Sequence, residues 1–361
     1  MTLAILVNGN LFQRAKGIAV ERSLSNYVGH FSVTCSADPD SLIPIKKGQV
    51  VDIVSLDLVP FIKGYVERIS VVQDSEGHEV TFSGRDITCD LVDSSLRVKK
   101  YKGPISFPSL VEKVISDQGL SFSVINQATG LDKIGENEPI NGDIGDGAFA
   151  FLDTYARRVQ AVLTTDETGN ILIMRSGKET SSFQIMRTNE PGLNNIIASE
   201  MEISDEQRFN EYRCVAQLSS DGDLFTATPT DAASQFGVSA DAAIRPGRFK
   251  EFEAETAMDA AACLNRADLE NNVAAARGFS YSALVPGLHP SVKINRLVRV
   301  KDDLCGVDDL LLINGVAVSF DLNGGTQTRI DCVARNSYSL ESSVLSERSG
   351  KSENAKEFSL L

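Results

Sequence analysis

The feature that most constrains this chain is a succession of short runs alternating apolar and polar residues, each cut by a turn signal. Residues 3–12, LAILVNGNLF, carry Asn8-Gly9, the strongest short-range signal for a two-residue β-hairpin turn. In GHFSVTCSA, Phe31, Val33 and Cys35 fall on one face and Ser32, Thr34 and Ser36 on the other. Further strands are predicted around 50–55, 60–72 and 78–83, with Asp74-Ser75-Glu76-Gly77 as the last turn. Several short strands at this spacing predict a small antiparallel barrel or sandwich.

The pattern changes after Gly103-Pro104. FPSLVEKVISDQGL places Leu110, Val111, Val114 and Ile115 on one helical stripe and stops at Gly119. A polar loop, NQATGLDKIGENEPINGDIGDG, leads to a second helix in AFAFLDTYARRVQ. AVLTTDETGNILIMR then forms a hairpin turning at Glu167-Thr168-Gly169-Asn170. Two helices and a hairpin make a compact α/β module. From about Ser181 strand alternation returns, clearest at Tyr212, Cys214 and Ala216. The Ala-rich stretch 255–278 predicts a long helix with Met258, Ala262, Leu269 and Val273 near one face. FSYSALVPG, RLVRVKD, DLLLINGVAVSF and TQTRIDCVAR read as strands, the last two joined by the turn sequence DLNGG. The order β, α/β, then β interrupted by a helix defines a β-rich α+β chain. Two β-units of similar size suggest duplication of architecture, without a residue-level repeat.

Composition narrows the function. The 361 residues are 42% hydrophobic and 23% charged, ordinary for a soluble globular protein, and no apolar run reaches membrane-span length. MTLAILVNGNLFQRAKG has no basic n-region and breaks its apolar run at Asn8-Gly9-Asn10, so it does not read as a secretory signal. The chain is expected to stay in the cytoplasm where it is made, or to be packed there into something larger. Six scattered cysteines form no C-x-x-C pair, and His30, His78 and His289 lie far apart in sequence, which favours buried thiols over a zinc site. The net charge is −14. Nucleic-acid binding needs clustered Lys and Arg, and the largest basic cluster, Arg97–Lys102, is short enough to be a solvated linker.

No P-loop, G-x-S-x-G or H-E-x-x-H motif is present. In GRDITCDLVDSS, residues 84–95, Asp86, Asp90 and Asp93 stand at i, i+4 and i+7, so a helix there would carry three carboxylates on one face. Asp86 directly follows a strand and Gly84-Arg85, the place of a helix cap or first-turn residue, where a carboxylate accepts open backbone N–H groups. Capping and pairing with arginine account for all three without a metal. Replacing such a cap by alanine costs about 0.5–2 kcal/mol. The acidic loop 132–146 lacks the ordered ligand positions of an EF-hand. No catalytic residue, cofactor or metal site is therefore expected. The polar, Ser-rich tail 341–361 reads as flexible, with Phe358, Leu360 and Leu361 either frayed or docked on a partner.

The same Asp-rich stretch, TFSGRDITCDLVDSS, resembles the Gly-Arg-Asp … Asp-Leu-Val-Asp-Ser-Ser segment of the Mu-type phage tail protein P family (late control protein D-like). These are the baseplate hub proteins of contractile-tailed bacteriophages. PIKKGQVVDIVSLDLVPFIKGYVERIS, FLDTYARRVQAVLTTDETGNILIMR and NRLVRVKDDLCGVDDLLLINGVAVSFDLNGGTQTRIDCVAR are similar to further family segments in the same order, and together they span most of residues 1–340. The chain departs from the family in having no tryptophan. The resemblance implies two tube-type antiparallel β-barrel domains, a small α/β domain and a helical insertion. Mapped here, these are 1–100 for the first barrel (with strands in 178–200 as candidates to complete it), 101–177 for the α/β domain, and 201–340 for the second barrel with the insertion at about 230–278.

It also implies a homotrimeric, non-enzymatic structural hub in the virion, assembled in the host cytoplasm. Its partners would be a hexameric tail tube or tube-initiator protein, a trimeric spike and other baseplate proteins. Three copies with two alike barrels each would present six barrels, so a threefold ring could match a sixfold tube. An acidic lumen would let DNA and the tape-measure protein pass during genome ejection without sticking. Two other classes compete. A tail-associated lysozyme or peptidase would draw carboxylates from the 132–146 loop, Glu136 or Glu138 first. A carbohydrate-binding module is disfavoured by the lack of Trp and by aromatics at 7%.

Overall fold

The computed structural model describes residues 3–36, 45–73, 78–131, 133–135, 139–175, 177, 179–190, 192–216, 235–254 and 259–335. They fall into two compact units, Met1–Glu202 with Ser280–Arg335, and Ile203–Phe279.

In the first unit, β1 (Leu3–Val7) and β2 (Asn10–Phe12) form the hairpin expected at Asn8-Gly9. Both turn residues have positive φ, 48° and 79°, the hand that matches strand twist. β3 (Ala15–Ser23), β4 (His30–Ser36), β5 (Val50–Ser55), β6 (Pro60–Gln73) and β7 (His78–Asp86) follow. They pair in the order β3-β4-β7-β6-β5-β1-β2. The turn read at 74–77 lies outside the described residues. Inward-facing residues of each strand, among them Ile5, Val20, Phe31, Val33, Ile53, Ile62 and Phe82, form one buried cluster.

The α/β module contains α1 (Cys89–Asp93), β8 (Lys100–Tyr101), β9 (Ile105–Ser106), α2 (Phe107–Asp117), β10 (Val124–Asn126), β11 (Lys133–Ile134), β12 (Ile140–Asn141), α3 (Ala148–Arg158), β13 (Val162–Thr165) and β14 (Ile171–Met174). Ser106 caps α2 by accepting from the Ser109 N–H, and the predicted stripe of Leu110, Val111, Val114 and Ile115 is buried. α3 packs into the same core through Phe151, Leu152 and Tyr155. The β13–β14 turn is built by Asp166, whose carboxylate accepts from the Thr168 and Asn170 N–H groups while Gly169 takes φ 86°. The stretch read as loop holds short strands instead. β10 runs parallel to β14, β11 pairs with β9, and β12 pairs with β8.

β15 (Thr180–Arg187) and β16 (Ala198–Ile203) precede the second unit, whose elements are β17 (Glu211–Ala216), β18 (Gln235–Ala240), β19 (Phe249–Glu253) and α4 (Ala260–Gly278). The chain then completes the first unit with β20 (Phe279–Pro286), β21 (Leu297–Asp302), β22 (Val307–Asp321) and β23 (Gly325–Val333). Along β22, residues 307–312 pair with β21 and residues 315–321 pair with β3, with a bulge between Ile313 and Gly315. β1–β7, β15, β16 and β20–β23 therefore belong to one 13-stranded sheet among the described residues. Val318 and Phe320 of β22 join the same core as Leu3 and Ile5 of β1. Those two strands stand at opposite ends of a seven-strand run, so this half of the sheet curls upon itself. β15 and β16, candidates to complete the first barrel, pair instead with β21 and β20, because β22 already occupies the edge of β3.

In the second unit β17 pairs antiparallel with β18 and parallel with β19, so Glu211–Ala216 joins this small sheet rather than the strands after 279. α4 lies over one face, packing Cys263 and Ala267 on Cys214 and Ala216. A Cβ at Gly237 would overlap the backbone of Cys263 and Leu264, so glycine lets the helix lie directly on β18. The buried residues of α4 include Cys263, Arg266, Ala267, Asn271, Asn272 and Ala274, shifted from the expected Ala262, Leu269 and Val273. Met258 lies outside the described residues. Polar groups in the buried stripe have partners, with the Asn271 Oδ1 left without one. Asn271 donates to Ser239, Ser239 to Asp268, and Arg266 reaches Glu270 at 3.1 Å.

Gly84 and Gly64 allow β6 and β7 to cross closely under the Phe31 ring. A Cβ at Gly84 would overlap the Tyr65 carbonyl, and one at Gly64 the Arg85 carbonyl. Gly84→Ala is expected to lower stability by about 1–3 kcal/mol through overpacking, read as a reduced midpoint in urea unfolding; an unchanged midpoint would mean that the crossing yields freely.

Candidate functional site

The acidic stretch singled out by sequence does not form one carboxylate face. Asp86 is the last residue of β7 and is 1% exposed, whereas Asp90 and Asp93 are exposed on α1. Asp86 is not the helix cap either. Thr88 holds that position, without a side-chain cap bond. The reason is that the Asp86 carboxylate is engaged elsewhere. One oxygen, Oδ2, accepts from the Gly29 N–H at 2.7 Å and from the Thr165 hydroxyl at 2.9 Å. The other, Oδ1, accepts from the Thr88 N–H at 3.0 Å and from the Thr88 hydroxyl.

Thr165 closes β13, so the carboxylate ties the curled sheet to the α/β module. Arg22, 8% exposed, donates to the Thr165 hydroxyl at 3.1 Å and to the Thr165 carbonyl. A buried cation thus reaches a buried anion through one hydroxyl. The carboxylate is thereby satisfied by fixed dipoles, while Arg22 is engaged through one guanidinium nitrogen and leaves Nη1 buried without a hydrogen-bond partner.

A second chain of the same kind lies in the other half of the sheet. Asp302 closes β21 and is fully buried. It accepts from the Ser199 hydroxyl at 2.7 Å, the Tyr281 hydroxyl at 2.9 Å and the Leu304 N–H at 3.1 Å. Ser199 in turn accepts from Arg187 at 3.0 Å. In both halves an arginine donates to a hydroxyl, the hydroxyl to an aspartate, and the aspartate ends a strand and takes the N–H two residues on. Burial works to raise the Asp302 pKa, but the bonds from Ser199, Tyr281 and the Cys305 N–H outweigh it and hold the carboxyl below the usual range. The same burial, with Asp302 beside it, pushes the Tyr281 hydroxyl up.

Asp93 is spoken for by Arg85, whose guanidinium forks between Glu67 and Asp93 with contacts of 2.6 Å to each. These bonds hold both carboxyls below the usual carboxylate range. Cys89 below them is buried, and its thiol is pushed up to about 12. Of the other cysteines, Cys35, Cys214, Cys263 and Cys332 are also buried and Cys305 is half-buried. Among the described residues no group of three or more His, Cys, Asp and Glu side chains is placed to hold a metal.

His30 pairs with Arg85 across the β4–β7 ladder, and His78 stands seven positions back along β7, about 23 Å away at strand rise. His289 stacks on Phe183 with ring centroids 4.2 Å apart. Glu136, Glu138, Phe358, Leu360 and Leu361 lie outside the described residues. Of Arg97–Lys102, Tyr101 is buried in the module core and Lys100–Tyr101 forms β8, so the basic run is part of the module rather than a linker. Arg22, Thr165, Ser199 and Asp302 drew no attention in the sequence, since their partners are distant along the chain.

Two outcomes are expected. Asp86→Ala strands the Gly29 and Thr88 N–H groups and leaves Arg22 uncompensated. It should cost about 3 kcal/mol or more in denaturant unfolding, beyond a lost cap, with no change on adding or chelating divalent cations. Asp302 has a depressed folded pKa, so its contribution is present above the unfolded value near about 4 and is lost as pH falls through the folded value. Asp302→Asn should therefore be less stable at pH 7 and show a shallower acid loss in thermal melts between about pH 4 and 2; an unchanged acid slope would remove Asp302 from the account.

Comparison with known proteins agrees with this architecture. The family model for the N-terminal part of the Mu phage baseplate assembly protein GpP-like matches residues 2–86. No curated protein matches the chain by sequence. Among solved structures, the prophage MuSo2 43 kDa tail protein from Shewanella oneidensis is similar with TM-score 0.78 at 22% identity, over 93% of this chain and 99% of that one. The tail protein from Neisseria meningitidis MC58 gives 0.80 at 18%, over 94% and 98%. The E. coli c3393 protein is a component of the type VI secretion system with structural similarity to the T4 bacteriophage tail proteins gp27 and gp5. It gives 0.57 at 11%, over 91% of this chain and 76% of its own. At these identities the likeness is one of fold: the chain is built as phage and prophage tail proteins are, and its N-terminal strands match a baseplate assembly family.

Proposed function

We propose that this chain is a structural, non-enzymatic tail protein of baseplate type. In this reading it is the hub of a contractile tail, and three copies close into a ring between a hexameric tail tube and a trimeric spike. The observation that carries it is the repeated Arg–hydroxyl–Asp chain, Arg22–Thr165–Asp86 and Arg187–Ser199–Asp302, at strand ends in the two halves of one sheet. Repetition at that level supports two matching barrel-like halves in each copy. Three copies then offer six similar surfaces to a sixfold tube while staying threefold toward a spike. The tail-protein fold and the N-terminal baseplate match support the same reading.

The net charge of −14 fits a conduit that does not adsorb DNA. In this role the protein resides in the virion and encloses the path of the genome and the tape-measure protein.

Light scattering of the purified chain tests the reading. The expected mass is about three times 39.0 kDa, with rings of six densities in electron micrographs. A monomer at high concentration, or a ring without sixfold character, would overturn the adaptor role.

A further inference from the structure

The sheet of the second unit is covered on one face only. α4 takes the face of Tyr212, Cys214, Ala216, Gly237 and Ser239, and the opposite face has no layer over it among the described residues. Register places its side chains in three rows. Ala240, Glu211 and Phe249 form the first, Val238, Arg213 and Glu251 the second, Phe236, Val215 and Glu253 the third. Phe236 and Phe249 are each 49% exposed and Val238 38%, three large apolar side chains on one face of a three-stranded sheet. Arg213 lies flat in the middle, with its guanidinium 4.4 Å from the Phe236 ring centroid and 3.6 Å from Glu251. Its charge is thereby matched. Phe236 and Val238 stand together on β18 and Phe249 at the diagonally opposite corner on β19, while Glu211 and Glu253 stay exposed as acidic groups on the same face.

We propose that this face docks a short basic amphipathic helix of a partner protein. Its aliphatic stripe would lie on Phe236, Val238 and Phe249, and its Lys or Arg side chains would meet Glu211 and Glu253. α4 supplies the only layer over this sheet among the described residues, and the exposed carboxylates on the other face select a cationic helix over an acidic one. Charge argues for a separate segment over a second copy, because a copy would bring the same exposed Glu211 and Glu253 against like charge.

The test titrates the full chain with a synthetic 14-residue helical peptide of leucine and lysine, LKKLLKLLKKLLKL, and with its glutamate counterpart. The lysine peptide is expected to bind at least tenfold more tightly than the glutamate peptide. Phe236→Ser with Phe249→Ser should weaken it at least tenfold, and Glu211→Lys with Glu253→Lys at least as much. The charge variants alter exposed positions only, so they carry the test alone if the phenylalanine pair disturbs folding, as judged by circular dichroism. Equal binding in the variants would assign the attraction to the bulk charge and overturn the proposal. Concentration-dependent self-association abolished by the phenylalanine changes, with no competition from the peptide, would overturn it in favour of a second copy.

Discussion

The rest of the first unit depends on β22. Its fifteen residues serve two neighbours in turn, β21 along the first part and β3 along the second, while β23 follows it on the other side. A strand long enough to do this would normally carry one twist throughout. The bulge between Ile313 and Gly315 resets it, and Gly315 lets the ladder pass close to Ser23 and Asp331. Past the bulge, Val318 and Phe320 turn into the core built by β1 to β7. The sheet is continuous because one strand is shared, and the strands at 180–203 are displaced to β20 and β21 for the same reason.

A shared strand alone would leave the ends of the sheet to fray. The two buried aspartates act there. Each ends a strand, fixes the following turn through an N–H two residues on, and is linked to an arginine through a hydroxyl, buried Arg22 in one case and half-buried Arg187 in the other. Burying charge is costly unless it is paired, so these positions tolerate few alternatives. The cost is met by geometry that only the folded arrangement supplies, which makes the pairs specifying as well as stabilising. Asp86 and Thr165 come from different layers, so the curled sheet and the α/β module are held in one arrangement.

What the sequence disclosed divides by distance along the chain. Turns made by neighbours were legible, at Asn8-Gly9, at Asp166–Asn170 and at Asp321–Gly325, where Asp321 accepts from the Asn323 and Gly324 N–H groups. So was the stripe of α2, because period alone defines it. The two-residue strands at 100–141 were not, since each exists only through its partner. The alternation at 211–216 named a strand but not its neighbours. Asp86 looked like a cap for the same reason. Its local offset was right for one, while the groups that claim it lie 57 and 79 residues away. The shifted stripe of α4 follows likewise, because apolarity alone cannot say that Arg266 and Asn271 have buried partners.

The two units contrast in how they dispose of apolar surface. In the first, curling brings the inner faces of distant strands onto one another, and large side chains such as Phe31, Phe82 and Tyr281 are fully or nearly fully enclosed. Among the described residues the second has three strands, too few to curl, and a single helix to cover them. Half of its sheet surface must then stay open, and the residues there are neither uniformly polar nor uniformly apolar. Solubility alone would favour Lys, Glu and Thr at those places. Phenylalanine at 236 and 249, set among exposed acidic groups, mixes aromatic and charged side chains as a surface built to be covered does. With α4 on one side, a sheet that small gains a cover for its other face only from outside, so that face is where selection for binding, rather than for folding, would act.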